Sequence, residues 1–152
     1  MAEIVISQDD PHAPDATALL QASHALMQSL FPAESNHYLS VDALTAPGVR
    51  FFTARRDGVA LGCAALAVME GYGEVKSMFV APEARGAGVG EALLARIDAQ
   101  AREESLPVLR LETGSKLEVA HRLYRRAGFT ERGPFGDYPD DPNSLFMEKP
   151  LA

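Results

Sequence analysis

The stretch that decides the fold is VKSMFVAPEARGAGVGEALL, residues 75–94. An apolar, strand-like run ends at Pro82, an arginine and three alternating glycines follow, and an amphipathic helical pattern then begins. Glycines at this point leave backbone N–H groups unshielded by a Cβ, next to the positive end of a helix dipole. The stretch therefore predicts a phosphate-binding loop at a helix N-terminus. A glycine-rich turn that only joins a strand to a helix is the alternative.

Length and charge narrow the classes of protein and partner. A chain of 152 residues, 47% apolar and 23% charged, predicts one globular domain over residues 1–152. The net charge of −7 disfavours nucleic acid or an anionic membrane as the main partner. Residues 1–75 hold nine acidic and three basic residues (net −6), and residues 76–152 hold twelve and eleven (net −1). An anionic ligand is therefore expected in the second half and a cationic one in the first.

Neither export nor metal binding is indicated. The chain shows no signal-peptide pattern and no apolar run long enough to span a membrane, so a cytoplasmic location is expected. Cys63, the one cysteine, lies among apolar residues and predicts a buried side chain. His12, His24 and His121 are scattered without the spacing of metal ligands, so no metal is expected.

Hydrophobic periodicity predicts a mixed α/β fold with the order β-α-β-β-β-α-β-α-β-β. Asp15 is expected to cap the first helix, Asp57-Gly58 to form a tight hairpin, and Gly128 to end the last helix. A short helical turn is expected at 42–44. The predicted strands are 3–7, 49–55, 59–69, 74–80, 108–113, 129–132 and 144–149, and the predicted helices are 15–30, 89 to beyond 101, and 118–127.

Two familiar nucleotide-binding loops do not fit the glycine stretch. No Gly-Lys-Ser/Thr follows at the spacing of a P-loop, which disfavours hydrolysis of a nucleoside triphosphate. Gly86 and Gly88 match the start of the dinucleotide fingerprint, but Glu91 stands where its third glycine belongs. Three antiparallel-looking strands also precede the loop, which is the wrong order of elements for a dinucleotide-binding fold.

Two motifs together resemble the GNAT N-acetyltransferase superfamily. Arg85-x-x-Gly88-x-Gly90, directly after a strand, is similar to the family's acyl-CoA pyrophosphate loop. Residues 120–129, AHRLYRRAGF, resemble its later helix, with the pattern Ala-x-x-Leu-Tyr-x-x-x-Gly-Phe. The resemblance covers nearly the whole chain. It implies a mixed sheet of about seven strands that splays between the strands at 74–80 and 108–113, flanked by about four helices.

The resemblance also implies that acetyl-CoA is the co-substrate. Backbone groups of the strand at 78–80 would bond the pantetheine arm like an added strand. The N–H groups of 85–90 would hold the pyrophosphate, and an N–H near Met78 would stabilise the oxyanion formed during transfer. Leu117 departs from the family pattern, which usually has Asn or Gln there, so Ser115 or Lys116 is the expected replacement. The cofactor-binding residues implied are Met78, Phe79, Val80, Arg85, Gly86, Ala87, Gly88, Val89, Gly90, Ser115, Tyr124 and Arg126.

For transfer, the acceptor amine, whose pKa is about 10, must lose a proton. Protonation of the departing thiolate also assists the reaction. Tyr124 stands at the family's tyrosine position and is the candidate acid, although its periodicity would equally suit a core residue. Glu74 is the candidate base. Water relayed to Glu74, Glu70 or His37 is a further possibility.

The strand that carries Glu74 bears on this assignment. Regular alternation places Glu74, Lys76, Met78 and Val80 on one face, and a bulge would change that arrangement. Lys76 would then pair with Glu74 and lower the pKa of its carboxyl, which weakens Glu74 as a base.

The acceptor implied by the resemblance is a primary amine of a small molecule, or a protein lysine or N-terminus. The loop at 34–38 resembles the region that covers the acceptor, with Glu34, His37 and Tyr38 as candidate contacts, and an ordinary exposed loop is the alternative. The loop at 135–142 is a candidate second wall, and its acids, with those of the first half of the chain, favour a cationic acceptor. The alternative function is a non-catalytic acyl-CoA-binding or sensing module. The resemblance also suggests a homodimer as the assembly.

Overall fold

A computed structural model describes residues 3–151 and shows a seven-stranded mixed sheet covered by helices. Within those residues three α-helices are present, one fewer than expected, because short 3-10 turns at Ala33–Ser35, Ala43–Thr45 and Pro82–Ala84 take the remaining helical segments. The predicted order of elements is confirmed. The elements are β1 Val5–Gln8, α1 Pro14–Leu30, β2 Val49–Arg56, β3 Val59–Met69, β4 Tyr72–Val80, α2 Val89–Glu103, β5 Val108–Gly114, α3 Glu118–Arg126, β6 Thr130–Arg132 and β7 Ser144–Pro150.

The sheet order is β1-β2-β3-β4-β5-β7-β6, and β4–β5 is its one parallel pair within the described residues. The β2–β3 hairpin turns at Asp57 and Gly58, which have φ of +52° and +79°. Positive φ at both central residues is the geometry that an Asp-Gly turn favours, so the predicted hairpin is confirmed. Gly128, with φ of +102°, follows α3 as expected.

The start of α1 differs from the prediction. Ala13 occupies the N-cap position and makes no side-chain capping bond, while Pro14 begins the helix. Proline suits this position because its fixed φ is already helical and its missing N–H has no helical partner to lose. Asp15 therefore lies inside the first turn, where its carboxylate pairs with Arg55 of β2, and its predicted capping role is wrong.

Helices cover both faces of the sheet. A Cβ on Gly62 of β3 would lie 2.9 Å from Val89 Cγ1, so α2 packs closely on that face. Ala54 of β2 pairs with Gly62 and therefore shares the face that α2 covers. The next residue, Arg55, points to the opposite face, where it pairs with Asp15 of α1. The buried cluster between these layers includes Cys63. Burial raises the pKa of this thiol to about 12, which keeps it protonated.

A bulge interrupts β4. Ser77 and Met78 lie opposite a single residue of β3, Ala64, and Ser77 has φ of +55°. An extra residue shifts the pleat by one position, so Phe79, and not Met78, shares the face of Lys76. Of the two arrangements considered for this strand, the one with a bulge is therefore found, and regular alternation ends at Lys76.

The parallel strands β4 and β5 separate partway along their length. They pair only at three positions, from Gly73–Leu109 to Val75–Leu111. Beyond these positions β4 continues to Val80 and β5 to Gly114 without further pairing to each other. The predicted opening between these strands is confirmed, and it creates a cleft.

No helix within residues 3–151 has both the length and the apolar character needed to cross a bilayer. Over the same residues, no three His, Cys, Asp or Glu side chains lie together in an arrangement that could hold a metal ion.

Candidate active site

A cleft of about 820 Å³ occupies the gap between β4 and β5. One end is bounded by the glycine loop, the start of α2 and the exposed side of α3. The other end is bounded by α1, the loop at 35–38 and Asn143. The first end suits an anionic, phosphate-bearing ligand, and the second is the place left for another reactant.

The glycine loop presents free backbone donors at the first end. Within the described residues, the N–H groups of Gly86, Gly88, Val89 and Gly90 have no backbone acceptor. Arg85 and Ala87 donate to preceding carbonyls only at 3.4 Å. Four unpaired donors at the start of a fifteen-residue helix form a positive surface suited to a phosphate group.

The three glycines serve different purposes. Gly86 and Gly88 both have φ of +83°, and a Cβ on either would meet no atom within 4 Å. Their open space is the room that a ligand would fill, and it fits a pyrophosphate lying against the loop. A Cβ on Gly90 would instead lie 2.7 Å from Leu123 Cδ2. Gly90 therefore has a packing role, since it lets α2 and α3 approach each other.

Cationic side chains surround the same end of the cleft. Arg85, Arg122 and Arg126 all line the cleft and are exposed. Lys116 is also an exposed lining residue, but its Nζ donates to the Leu30 carbonyl of α1 at 3.0 Å and so lies toward the other end. Arg126 also pairs with Glu91 of α2 at 3.1 Å. Two predicted cofactor contacts, Ala87 and Ser115, are not among the lining residues, whereas Lys116 and Leu117 are. Of the two replacements expected for the residue at 117, the geometry favours Lys116.

The bulge in β4 lies in the floor of the cleft. Met78, Phe79 and Val80, the predicted contacts of the pantetheine arm, line it, and the edge of β4 that faces β5 carries no strand partner beyond Val75. Ser77 also lines the cleft, and its buried Oγ has no hydrogen-bond partner. An unpaired strand edge can bond an extended ligand in the way it would bond another strand.

Tyr124 projects from α3 into the lining of the cleft and is 5% exposed. Its ring packs edge-on against Phe129, with centroids 5.9 Å apart. Burial raises the pKa of its phenol, and the negative charge of Glu112 raises it further. Tyr124 therefore keeps its proton at neutral pH and can donate a hydrogen bond to an anion in the cleft.

Glu74 occupies a different environment from the one expected of a base. It is 5% exposed and is not among the residues that line the cleft. Its Oε2 accepts a hydrogen bond from the Tyr138 hydroxyl and lies 3.5 Å from Lys76 Nζ. Its role as a base stays a prediction.

The loop at 34–38 (the acceptor loop) places two of its three predicted contact residues in the lining of the cleft. His37 and Tyr38 line the cleft, whereas Glu34 is exposed and outside the lining. His37 Nε2 is buried without a hydrogen-bond partner. The Tyr38 ring stacks on His24 at 4.0 Å. This loop therefore brings an aromatic surface and an imidazole to the cleft rather than a carboxylate.

Hydrogen bonds connect the loop at 135–142 (the late loop) and the neighbouring Asn143 to the acceptor loop. Ser35 Oγ donates to Asp141 Oδ2 at 2.6 Å, and the Asn143 side chain donates to the same Oγ at 3.2 Å. Lys76 Nζ donates to the Tyr138 hydroxyl at 2.7 Å and to the His37 carbonyl at 3.1 Å. These bonds fix the wall of the cleft, and they occupy the late loop's Asp141 carboxylate, which was expected to attract a cation.

Glu112 is the site residue that the sequence analysis did not identify. It lines the cleft from β5, one residue beyond the last β4–β5 pair, and Ser144 Oγ donates to its Oε2 at 2.7 Å. Burial raises the pKa of its carboxyl. A signal for it existed, because a carboxylate inside the apolar strand at 108–113 needs a partner or a function.

Comparison with known proteins identifies the family. Residues 16–129 match the family model described as "Acetyltransferase (GNAT) family". A protein of Azospirillum brasilense named IAA acetyltransferase is 46% identical over 153 residues, covering 99% of this chain and 100% of its own.

Solved structures agree with this match. A Klebsiella pneumoniae protein assigned to the acyl-CoA N-acyltransferases superposes with a TM-score of 0.84 at 36% identity, covering 100% of both chains. PaiA N-acetyltransferase of Thermoplasma acidophilum, solved in complex with coenzyme A, superposes with a TM-score of 0.73 at 15% identity. It covers 97% of this chain and 99% of its own, and at that identity it shows a shared fold.

Proposed function

The chain belongs to the acetyltransferase (GNAT) family, whose general reaction transfers the acetyl group of acetyl-CoA to an amine, and we propose that the cleft between β4 and β5 carries out that reaction here. The proposal rests on one observation, which is that two features lie side by side. The separated strands leave β4 with an unpaired edge, and the glycine loop beside it has four free N–H donors.

The donor lies along β4 with its phosphates on the glycine loop. Gly86, Gly88, Val89 and Gly90 bind the pyrophosphate through their N–H groups, and Arg85 adds a charge-assisted contact. The backbone of residues 78–80 bonds the pantetheine arm. Acetyl-CoA supplies an activated acyl group and a thiolate leaving group, and the protein supplies position and hydrogen-bond donors.

Tyr124 assists departure of the thiolate. Its raised pKa keeps the hydroxyl protonated, so the phenol donates a hydrogen bond to sulfur as negative charge develops there. This donor is 5% exposed, and a hydrogen bond gains electrostatic strength where water is excluded.

The acceptor enters at the α1 end, between the acceptor loop and Asn143. Leu26, Met27 and Phe31 give this end an apolar wall, and Glu112 gives it a carboxylate. This combination suits a primary amine carried on an apolar group. It suits a compound with several positive charges less well, because Lys76 and Lys116 also line the cleft.

An acetyl-transfer assay tests the proposal. Wild-type protein is mixed with acetyl-CoA and a panel of alkylamines, aralkylamines, diamines, amino-acid amides and a lysine peptide. Thiol release and the mass of the product are both measured. We expect acetylation of at least one monoamine, with one thiol released per acetyl group transferred.

Tight binding of acetyl-CoA without transfer to any amine would support the alternative, a non-catalytic acyl-CoA-binding module. The names of the relatives favour an enzyme over that alternative. A cytoplasmic location and a homodimer stay predictions.

A further inference from the structure

We propose that Glu112 is a catalytic residue that binds the acceptor's ammonium group in the cleft and accepts its proton before the nitrogen attacks the thioester. The inference deepens the proposed function and rests on it. The β4 residue Glu74, predicted as the base from the sequence, is the competing candidate.

The position of Glu112 is the first argument. Arg110 pairs with Glu74 across the sheet, so Glu112, two residues further along β5, lies on the same face as Glu74 and Lys76. That face is the one covered by α1 and the acceptor loop, since Lys76 Nζ bonds the His37 carbonyl. Glu112 is thus on the acceptor side, one residue past the point where the strands part.

The other carboxylates of the cleft are poorly placed for this task. Within the described residues, the remaining acids in the lining are Glu91 and Glu118, in the first turns of α2 and α3. Both are exposed, and Glu91 is paired with Arg126 at the phosphate-binding end. Glu112 is half-buried on the floor of the cleft and has one oxygen held by Ser144. Its other oxygen is left for the substrate.

The charged and titratable groups around Glu112 come from three other elements. Burial is the largest influence on its carboxyl and raises the pKa, the Ser144 hydrogen bond lowers it, and the neighbouring charges act in both directions. Those neighbours are Glu74 and Lys76 of β4, His37 of the acceptor loop and Tyr124 of α3.

This setting suits a proton acceptor for an amine. An ammonium group has a pKa of about 10 and a glutamate has an ordinary pKa of 4.5, so the transfer between them is unfavourable. Each unit by which burial brings the two pKa values closer makes the transfer tenfold less unfavourable. The buried, unpartnered Nε2 of His37 lies in the same part of the cleft and offers the amine a second contact.

The protons and electrons balance without a further reagent. Glu112 takes one proton from the ammonium group and later releases it to solvent. The nitrogen lone pair forms the C–N bond, the C–S bond breaks, and its electron pair goes to sulfur. The second proton leaves the nitrogen and ends on that sulfur, toward which Tyr124 donates its hydrogen bond. The products are an N-acetyl amine and free coenzyme A thiol.

Glu112→Gln and Glu74→Gln, compared in steady-state kinetics from pH 6 to pH 10, test the inference. The amide oxygen introduced by Glu112→Gln still accepts the hydrogen bond from Ser144 Oγ, and Glu118→Gln serves as the control in the lining. We expect Glu112→Gln to lower kcat/KM for the amine by about 100- to 1000-fold near neutral pH, with unchanged affinity for acetyl-CoA by calorimetry. The loss should shrink as pH approaches the pKa of the amine, because free amine then needs no base.

Two results would overturn the assignment. Activity of Glu112→Gln within threefold of wild type across the pH range would remove Glu112 from catalysis. A large, pH-dependent loss in Glu74→Gln alone would assign the base to Glu74. Absence of transfer by the wild-type protein is a separate outcome, since it would refute the proposed function and this inference with it.

Discussion

Val75 and Leu111 form the last pair between β4 and β5, and the next residue of each strand, Lys76 and Glu112, lines the cleft. The bulge at Ser77 follows within two residues on β4, and Glu112 follows directly on β5. The end of one parallel pair therefore sets the position of an unpaired strand edge, a strained serine and a half-buried carboxylate.

Gly88→Phe should abolish acetyl-CoA binding, and Gly58→Phe should not. Both glycines have positive φ, +83° and +79°, and a Cβ on either would meet no atom within 4 Å. Backbone strain should therefore cost a similar amount in each, about 1–2 kcal/mol of unfolding free energy. Chemical denaturation and calorimetry measure the two effects. Equal acetyl-CoA affinity in the two variants would contradict the assignment of the loop.

Tyr124→Phe should lower kcat about 10- to 100-fold and leave acetyl-CoA affinity nearly unchanged. The range corresponds to the loss of one hydrogen bond to a charged group, about 1.5–3 kcal/mol, at about 1.4 kcal/mol per tenfold. Tyr72→Phe is the matched control, because Tyr72 does not line the cleft. A turnover number unchanged from wild type would remove the acid role.

Glu112→Gln should be more stable than wild type at neutral pH. Burial raises the folded-state pKa of Glu112 above its usual 4.5. The stability linked to its bound proton is therefore complete below the usual value and is lost as pH rises through the raised value. Glutamine does not ionise, so the difference in Tm between variant and wild type should grow across that interval. Glu118→Gln, at an exposed position, should show no such trend.

Ser77→Val should weaken acetyl-CoA binding, and Ser77→Gly should preserve it. Ser77 adopts φ of +55°, which a β-branched residue tolerates poorly and glycine adopts freely. Ser105, with φ of +60° and outside the lining of the cleft, is the control. Each valine variant should lose about 1–2 kcal/mol of stability, measured by denaturation. A binding loss shared by Ser105→Val would show a global effect instead.

Lys76→Met should destabilise the fold by about 3–5 kcal/mol, because Glu74 would keep a buried charge without its cation. The Lys76 and Glu74 side chains are 10% and 7% exposed, and their charged atoms lie 3.5 Å apart. The double variant Lys76→Met/Glu74→Gln should recover part of the loss. Urea denaturation of the four proteins gives the coupling energy. Additive losses would mean that the pair contributes no coupling.

Local sequence patterns predicted much of the fold. Glycine at 86 and 88 and the helical repeat that follows it predicted the loop at the start of α2, since both depend on neighbours in the chain. Asp57-Gly58 likewise predicted its hairpin from conformational preference alone. The capping role of Asp15 failed because the helix begins at Pro14, which leaves Asp15 inside the first turn, where Arg55, forty residues away, binds its carboxylate.

The assignment of a base could not be made from local pattern. Glu74 and Glu112 are both acids in apolar strands, and a sequence does not distinguish a carboxylate bonded inside the protein from one that faces a cleft.

The sequence by itself determined the order of elements, the glycine loop at the start of α2 and the family, because these depend on residues close together in the chain. Only the tertiary structure decided which carboxylate faces the cleft. Tyr138 lies 64 residues from Glu74 and withdraws it from the cleft by a hydrogen bond. Separation of β4 from β5 exposes Glu112. Both outcomes depend on contacts between distant segments, which form only when the whole sheet is assembled.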